Sequence, residues 1–355
     1  MDKQKKIVVG ISIGDLNGIG SEVVLKTLQD PRILELFTPV IFASFKIMTY
    51  FKKTYQLECN LHGIDNLDAI DFKKVNVFNV WKESIDINFG KEDPKIGAYS
   101  IKSLKSAVSA LKNNKIDVLV TAPINKSNIQ ADDFKFPGHT DYLNQELEGD
   151  SLMLMVSDSL RVGLLTDHVA VKDIAQTITK ELIESKINTI QKTLIQDFGI
   201  RKPKIAVLGI NPHNGDNGVI GNEDDTVLKP ALEEIYKKGT LVYGPYAADS
   251  FFGSGTYEKF DAVIASYHDQ GLIPFKTLSF GKGVNFTAGL NKVRTSPDHG
   301  TAFDVAGKNI ANNESFKEAL YTAINIYKKR QEYLHLSKNP LKVTVQQNTQ
   351  RKRFD

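Results

Sequence analysis

The sequence predicts an α/β protein built as two α/β/α domains. Three observations predict it. The chain has 355 residues, more than the ~250–300 that one hydrophobic core usually serves. Apolar runs of strand length alternate with amphipathic stretches of helical period along most of the chain. Near the middle, two adjacent apolar runs interrupt that rhythm, so a second domain is expected to start near residue 138.

Taken in order, KIVVGISIG (6–14) reads as a first buried strand, because its apolar run is short and ends in Gly14 and Asp15 rather than at the cleavage site of a secretory leader. GSEVVLKTLQD (20–30) reads as a helix capped by Ser21 with Glu22 in its first turn. Strand-like PVIFASF and helical KIMTYFKKTY follow, then helical IKSLKSAVSALKNN and strand-like IDVLVTAP. This order argues for βαβ units around a largely parallel sheet covered on both faces. SLMLMVSD and RVGLLTD, split by Ser159 and Leu160, read as paired antiparallel strands. A long helix over Thr179 to Phe198, the strand PKIAVLGI, the helix DDTVLKPALEEIYKKG and the strand DAVIASYH resume the α/β rhythm. The segment 314–334 is a closing helix with Ala319, Ala323 and Ile326 at helical spacing, and the polar, basic stretch beyond it is a tail.

Composition bounds the function. The 45 basic and 42 acidic residues leave a net charge of +3, too balanced for a nucleic-acid surface. No stretch approaches the ~18–20 apolar residues that span a bilayer. The single cysteine, Cys59, permits no intramolecular disulfide and fits a cytoplasmic protein. The loop GDLNGIGSE invites a dinucleotide reading, but its glycines at 14, 18 and 20 do not make GxGxxG, so it is either a plain βα turn or a loop facing the active cleft.

Five of the seven histidines lie in Gly-, Asn-, Asp-, Thr- and Pro-rich segments at the ends of apolar runs: His139, His168, His213, His268 and His299. His168, His213 and His268 each follow a buried strand at its carboxyl end, where open α/β sheets bind ligands. Three imidazoles converging there would suit Zn²⁺ or a similar transition metal with positions left open for substrate. A histidine after a strand is more often a hydrogen-bonded loop residue, and both readings stand on the residues alone. So do two readings of Lys276 and Arg294, as ligand-facing cations or as surface cations beside Gly-rich loops. His139 and Thr140 could equally serve a Pro-Gly turn, and Asp249 could handle a proton, orient a neighbouring cation or cap the turn that follows it.

The segments YHDQG (267–271), GINPHNGDNGVIGNEDD (209–225), FPGHTDYL (136–143), FGKGVNFTAGL (280–290) and VRTSPDHGTAFDVAGK (293–308) resemble signature segments of the 4-hydroxythreonine-4-phosphate dehydrogenase family. TAPINK (121–126) and GPYAADSFF (244–252) add to the match, which runs from about Val8 to about Tyr333. The resemblance implies a fold similar to isocitrate and isopropylmalate dehydrogenases, with the active site in the interdomain cleft at a dimer interface. The domains would then be 1–137 plus 276–335, and 138–275, with a basic tail over 336–355.

It further implies a homodimer with shared active sites, NAD as cofactor, and a divalent metal, Zn²⁺ first with Co²⁺ or Mg²⁺ as alternatives. The metal would be held by His168 and His213 of one chain and His268 of its partner. His139, Thr140, Lys276, Asn285 and Arg294 would bind substrate, and Lys276 and Asp249 are the catalytic candidates. His299, Gly300, Ala302 and Asp304, in the DHGTAFDVAGK segment, would hold the nucleotide, which accounts for a dehydrogenase without GxGxxG. The sequence departs from the family where the usual Pro-Ala is Leu16-Asn17, the following Pro is Ser21, and the usual Glu after His139-Thr140 is Asp141.

The implied reaction is oxidation of 4-phosphohydroxy-L-threonine to a β-keto acid that decarboxylates to 3-amino-2-oxopropyl phosphate, a step of vitamin B6 synthesis. A 4-phosphothreonate or 4-phosphoerythronate 3-dehydrogenase is the neighbouring alternative. A phosphate acyltransferase or a metal-dependent hydrolase is the alternative of another class.

Overall fold

The strands are β1 (Ile7–Ser12), β2 (Phe37–Ala43), β3 (Leu61–Ile64), β4 (Val75–Asn79), β5 (Val118–Thr121), β6 (Gly149–Val156), β7 (Arg161–Leu164), β8 (Ile205–Leu208), β9 (Val242–Tyr246), β10 (Ala262–Ala265), β11 (Val284–Leu290) and β12 (Val293–Pro297). They form one 12-stranded sheet in the order β3-β4-β2-β1-β5-β12-β11-β6-β7-β10-β8-β9. This is a computed structural model, and it describes residues 6–130 and 134–340. All pairings are parallel except β12 with β11, β11 with β6, and β6 with β7. The antiparallel joint therefore separates two parallel blocks, and SLMLMVSD and RVGLLTD pair as the sequence predicts.

The helices that matter here are α1 (Gly20–Leu28), α2 (Phe45–Thr54), α3 (Pro94–Lys112), α4 (His139–Glu146), α5 (Lys180–Gln196), α6 (Lys229–Lys237), α7 (Ala248–Gly253), α8 (His268–Leu278) and α9 (Glu314–Leu336). Alternation along each strand assigns them to layers. Val8, Val40 and Leu119 pack with Leu104, Val108 and Leu111 of α3 on one face. Their neighbours Val9, Ile41 and Val120 pack with α1 and α9 on the other. In the second block Val207 and Ile264 meet Ile183, Ile187 and Ile190 of α5, whereas Ala206 and Val263 meet Leu272 and Phe275 of α8. Because both faces are covered, β1 and β2 are buried at every position, which is why they read as mostly apolar runs without polar alternation.

Two of these nine helices, α3 and α5, start on a side-chain cap. Asp93 accepts from the Lys95 amide ahead of Pro94 in α3, and Thr179 Oγ1 accepts from the Leu182 amide at 3.2 Å in α5. Ser21 is a correction. The chain is already helical at Ile19, α1 starts at Gly20, and Ser21 is fully buried inside the helix instead of capping it. Asp249 likewise does not cap the turn after it, since Ala247 holds that position and Asp249 lies in the first turn of α7. The closing helix α9 buries Ala319, Ala323 and Ile326 as expected and runs to Leu336. Of the tail assigned to 336–355, residues 341–355 lie outside the described residues. No helix among the described residues is long and apolar enough to cross a membrane.

Candidate active site

All five residues expected to bind substrate line one cleft of about 240 Å³: His139, Thr140, Lys276, Asn285 and Arg294. His168, His299 and Gly300 line it too. The first block supplies the end of β5, β12 and the start of β11, while α4, β6, the segment after β7 and Lys276 of α8 bring the rest. His139 and Thr140 are the first two residues of α4 behind Gly138, so they occupy a helix start rather than a free turn. A larger cavity of about 630 Å³ between α9 and the β6–β7 hairpin contains none of the predicted site residues. The smaller cleft is the better candidate on chemistry.

That chemistry centres on Arg294. It is 2% exposed, within a strand buried at all five positions, so the surface-cation reading is wrong for it. Thr121 Oγ1 accepts from Nε at 3.1 Å and from one terminal nitrogen at 2.5 Å, and Thr287 Oγ1 accepts from the other terminal nitrogen at 3.0 Å. Among the described residues no carboxylate pairs with it. Burial alone holds its pKa down to about 9, and a guanidinium left this way is completed best by an anionic group, to which each charge-assisted bond contributes about 1.5–3 kcal/mol.

Around Arg294 the polar atoms converge. His139 Nε2, Asn285 Oδ1 and His299 Nε2 are sealed from solvent and make no hydrogen bond among the described residues. Burial, then Arg294, then Lys126 push the His139 pKa well below the usual histidine range, so its imidazole is neutral at neutral pH. Lys276 is exposed and donates to the Asp298 carbonyl at 3.0 Å. Sequence reasoning missed Thr121, Thr287 and Lys126. All three fall inside quoted motifs, but nothing in a lone threonine signals that it will carry a buried arginine.

The three expected metal ligands follow β7, β8 and β10, which are neighbours in the sheet in the order β7-β10-β8. Two of them come together: the His168 and His268 rings lie 5.9 Å apart between centroids. Asp269 Oδ1 is 2.7 Å from His268 Nδ1, which leaves Nε2 as the free nitrogen. His213 does not join them. It opens a left-handed run in which His213, Asn214, Asp216 and Asn217 all have positive φ. The run is pinned by Asp224, which accepts from the Ile210 and Asn211 amides at 2.8 and 2.9 Å. Asn, Asp and Gly tolerate that conformation, and it accounts for the unusual composition of the segment.

Within one chain, no group of three His, Cys, Asp or Glu side chains among the described residues is placed to hold a metal ion. The donor set fits a metal as a pair that needs a third ligand from outside the chain. Asp249 stands with His213 rather than in the cleft, its carboxyl held below the usual range by the Ser250 amide first and by His213 to a lesser degree.

The expected nucleotide loop begins in the cleft at His299 and Gly300 and leaves it. Gly300 has no heavy atom within 4 Å of where a Cβ would sit, Ala302 has φ +43°, and Asp304 is exposed. This fits a ligand passing over open backbone. The glycine loop 14–20 does not line the cleft; it abuts this second loop, with the Ile19 amide donating to Thr301 O at 3.0 Å.

Comparison with known proteins places the chain in a family. A family model described as "Pyridoxal phosphate biosynthetic protein PdxA" matches residues 35–323. The chain is 46% identical over 342 residues, covering 96% of it and 94% of the relative, to 4-hydroxythreonine-4-phosphate dehydrogenase of Bacteroides thetaiotaomicron. It is 36% identical over 318 residues, 88% of this chain and 95% of the relative, to D-threonate 4-phosphate dehydrogenase of Cupriavidus necator. The crystal structure of 4-hydroxythreonine-4-phosphate dehydrogenase from Klebsiella pneumoniae is similar with a TM-score of 0.79 at 30% identity, covering 92% of this chain and 99% of that one.

Proposed function

Since the chain belongs to the PdxA family of pyridoxal phosphate biosynthetic proteins, we propose that it is an NAD-dependent, divalent-metal-assisted dehydrogenase of vitamin B6 synthesis. Its substrate would be 4-phosphohydroxy-L-threonine, oxidised at the secondary alcohol to a β-keto acid that loses carbon dioxide to give 3-amino-2-oxopropyl phosphate. One observation carries the reading beyond similarity. The cleft holds a buried arginine that pairs with no carboxylate among the described residues, and Lys126 and Lys276 line the same cleft, which suits a substrate with a phosphate and a carboxylate.

In this reading Arg294 and Lys276 hold the anionic groups, with Thr121 and Thr287 fixing the guanidinium plane and Thr140 facing the same space. Asn285 Oδ1 accepts from a substrate donor. His139, neutral and with Nε2 unpartnered among the described residues, can take or return a proton at that atom. Lys276 is a second candidate for proton handling. NAD would lie along His299, Gly300, Ala302 and Asp304 and supply the hydride acceptor. A divalent ion, Zn²⁺ or alternatively Co²⁺ or Mg²⁺, would polarise the reacting oxygen.

The ligands His168 and His268 of one chain, with the partner's His213, would hold that ion in a homodimer with shared sites. This partition differs from the one the resemblance implies, because His168 and His268 already meet within one chain. Asp249, beside His213, could contribute to catalysis only where the His213 loop reaches a site. The domain division, 1–137 plus 276–335 against 138–275, and a cytoplasmic location belong to the same proposal. The antiparallel joint between two parallel blocks supports the division.

The similarity to D-threonate 4-phosphate dehydrogenase favours a second reading, oxidation of 4-phosphothreonate, since the phosphate- and carboxylate-facing residues would serve both substrates. A panel of phosphorylated four-carbon hydroxy acids, assayed for metal-dependent NADH formation, tests both. Turnover of the amino acid is expected. Turnover of 4-phosphothreonate alone assigns the second reading, and acyl transfer that persists after chelation without NAD overturns both.

A further inference from the structure

Asn17 is fully buried, and both its backbone groups and its side chain are engaged. Nδ2 donates to Lys91 O at 2.9 Å, and Oδ1 accepts from the Asn88 amide at 2.9 Å. Its carbonyl accepts from the Gly90 amide at 2.9 Å, and its own amide donates to Asp15 Oδ1 at 2.9 Å. One side chain thus closes the turn 88–91 onto the loop 14–20. The turn is part of a stretch between β4 and α3 without helix or strand, so it has no ladder of its own to hold it.

The same turn props the loop proposed for the nucleotide. Gly90, at φ +74°, lies so close beneath Phe303 that a Cβ would come within 2.7 Å of its carbonyl oxygen. The Phe89 ring lies against Gly307, where a Cβ would come within 2.6 Å of it. From the other side Ile19 holds Thr301. Asp15 extends the network toward the substrate cleft: its second oxygen accepts from Asn128 Nδ2 at 3.0 Å, and its amide donates to Pro123 O at 2.9 Å. Pro123, Ile124 and Lys126 line that cleft.

We propose that Asn17 is a positioning residue for the dinucleotide, setting the 88–91 turn so that the His299–Asp304 loop keeps its nucleotide-binding shape beside the substrate cleft. This rests on the proposed function, in which that loop receives NAD. At this position the sequence departs from the resembled family, which usually has alanine. An alanine at 17 is therefore compatible with the fold, and Asn17→Ala leaves the Asn88 amide and the Lys91 carbonyl without their partner at a part-buried site.

The test compares wild type, Asn17→Ala, Asn17→Asp and Asn76→Ala for KM of NAD, KM of the phosphorylated substrate, kcat, melting temperature and NADH affinity by fluorescence titration. Asn76 is the control, a fully buried asparagine that binds Pro39 O, Asp71 O and Lys74 O far from the cleft on β4. Asn17→Ala is expected to raise the NAD KM and the NADH Kd about tenfold, ~1.4 kcal/mol, with the substrate KM within about twofold of wild type. Asn17→Asp, which keeps the acceptor and loses the donor, falls between. Asn76→Ala lowers the melting temperature without moving either nucleotide constant. The latch is overturned if Asn17→Ala behaves like Asn76→Ala, or if both KM values rise together. A wild-type protein that binds no NADH overturns the proposed function and the latch with it.

Discussion

Arg294 shows at the scale of a residue how function and stability oppose each other. Its folded-state pKa lies below its unfolded one, so the unfolded chain binds the proton more tightly and the charged guanidinium destabilises the fold at every pH below about 9. That penalty is full below about 9 and shrinks only as pH rises from there toward the usual arginine range, or when an anion binds. Arg294→Met should therefore abolish turnover while raising the melting temperature of the ligand-free protein, by about 2–4 °C for each kcal/mol recovered. Inorganic phosphate should raise the melting temperature of wild type and leave the variant unmoved; scanning calorimetry with and without phosphate reads both. A variant that melts lower, with phosphate still stabilising it, would make Arg294 a packing residue. The motif marked this side chain as functional from sequence. Its burial was hidden, because VRTSP lacks the apolar run that betrayed β1 and β2, and its two threonine acceptors come from other strands.

At the scale of elements, legibility followed periodicity. Strands covered on both faces and helices with one apolar stripe could be read because burial dictates their composition. The segment 211–221 was legible as a loop, but its direction was not, since a run of positive φ depends on how Asp224 ties it down. Long-range ties were equally invisible. Arg330 on α9 grips Asp197, the C-cap of α5, at 2.7 Å and also donates to Leu290 O at the end of β11, joining helix layer to sheet. Asp197 is 2% exposed at its side chain, so Arg330→Met leaves a carboxylate buried and unpaired. A loss of about 3–5 kcal/mol is expected. Urea unfolding should show it as a lower midpoint at unchanged slope, while the KM of both substrates stays put. An unchanged midpoint would mean that solvent reaches Asp197 once the arginine is gone.

At the scale of the molecule, the sequence pointed to the carboxyl ends of strands for His168, His213 and His268, but strand order decides which of them meet, and strand order is not written in local pattern. The sheet sets β7, β10 and β8 side by side, yet the left-handed run turns His213 away from the other two. If a twofold dimer completes each site, mixing inactive variants reveals which histidine crosses over. With His168 and His268 on one chain and the third ligand from the other, a mixed dimer of His168→Ala and His213→Ala has one site lacking both altered ligands and one site intact. Random pairing makes half of the dimers mixed, so about a quarter of wild-type activity should return. His213→Ala with His268→Ala should recover equally, whereas His168→Ala with His268→Ala should recover nothing, because either chain then carries a broken pair. Recovery in that last mixture, with none from His168→Ala and His213→Ala, would instead place His268 across the interface. Failure of all three mixtures, after native mass spectrometry has confirmed mixed dimers, would put every ligand on one chain and require the His213 loop to swing toward β10.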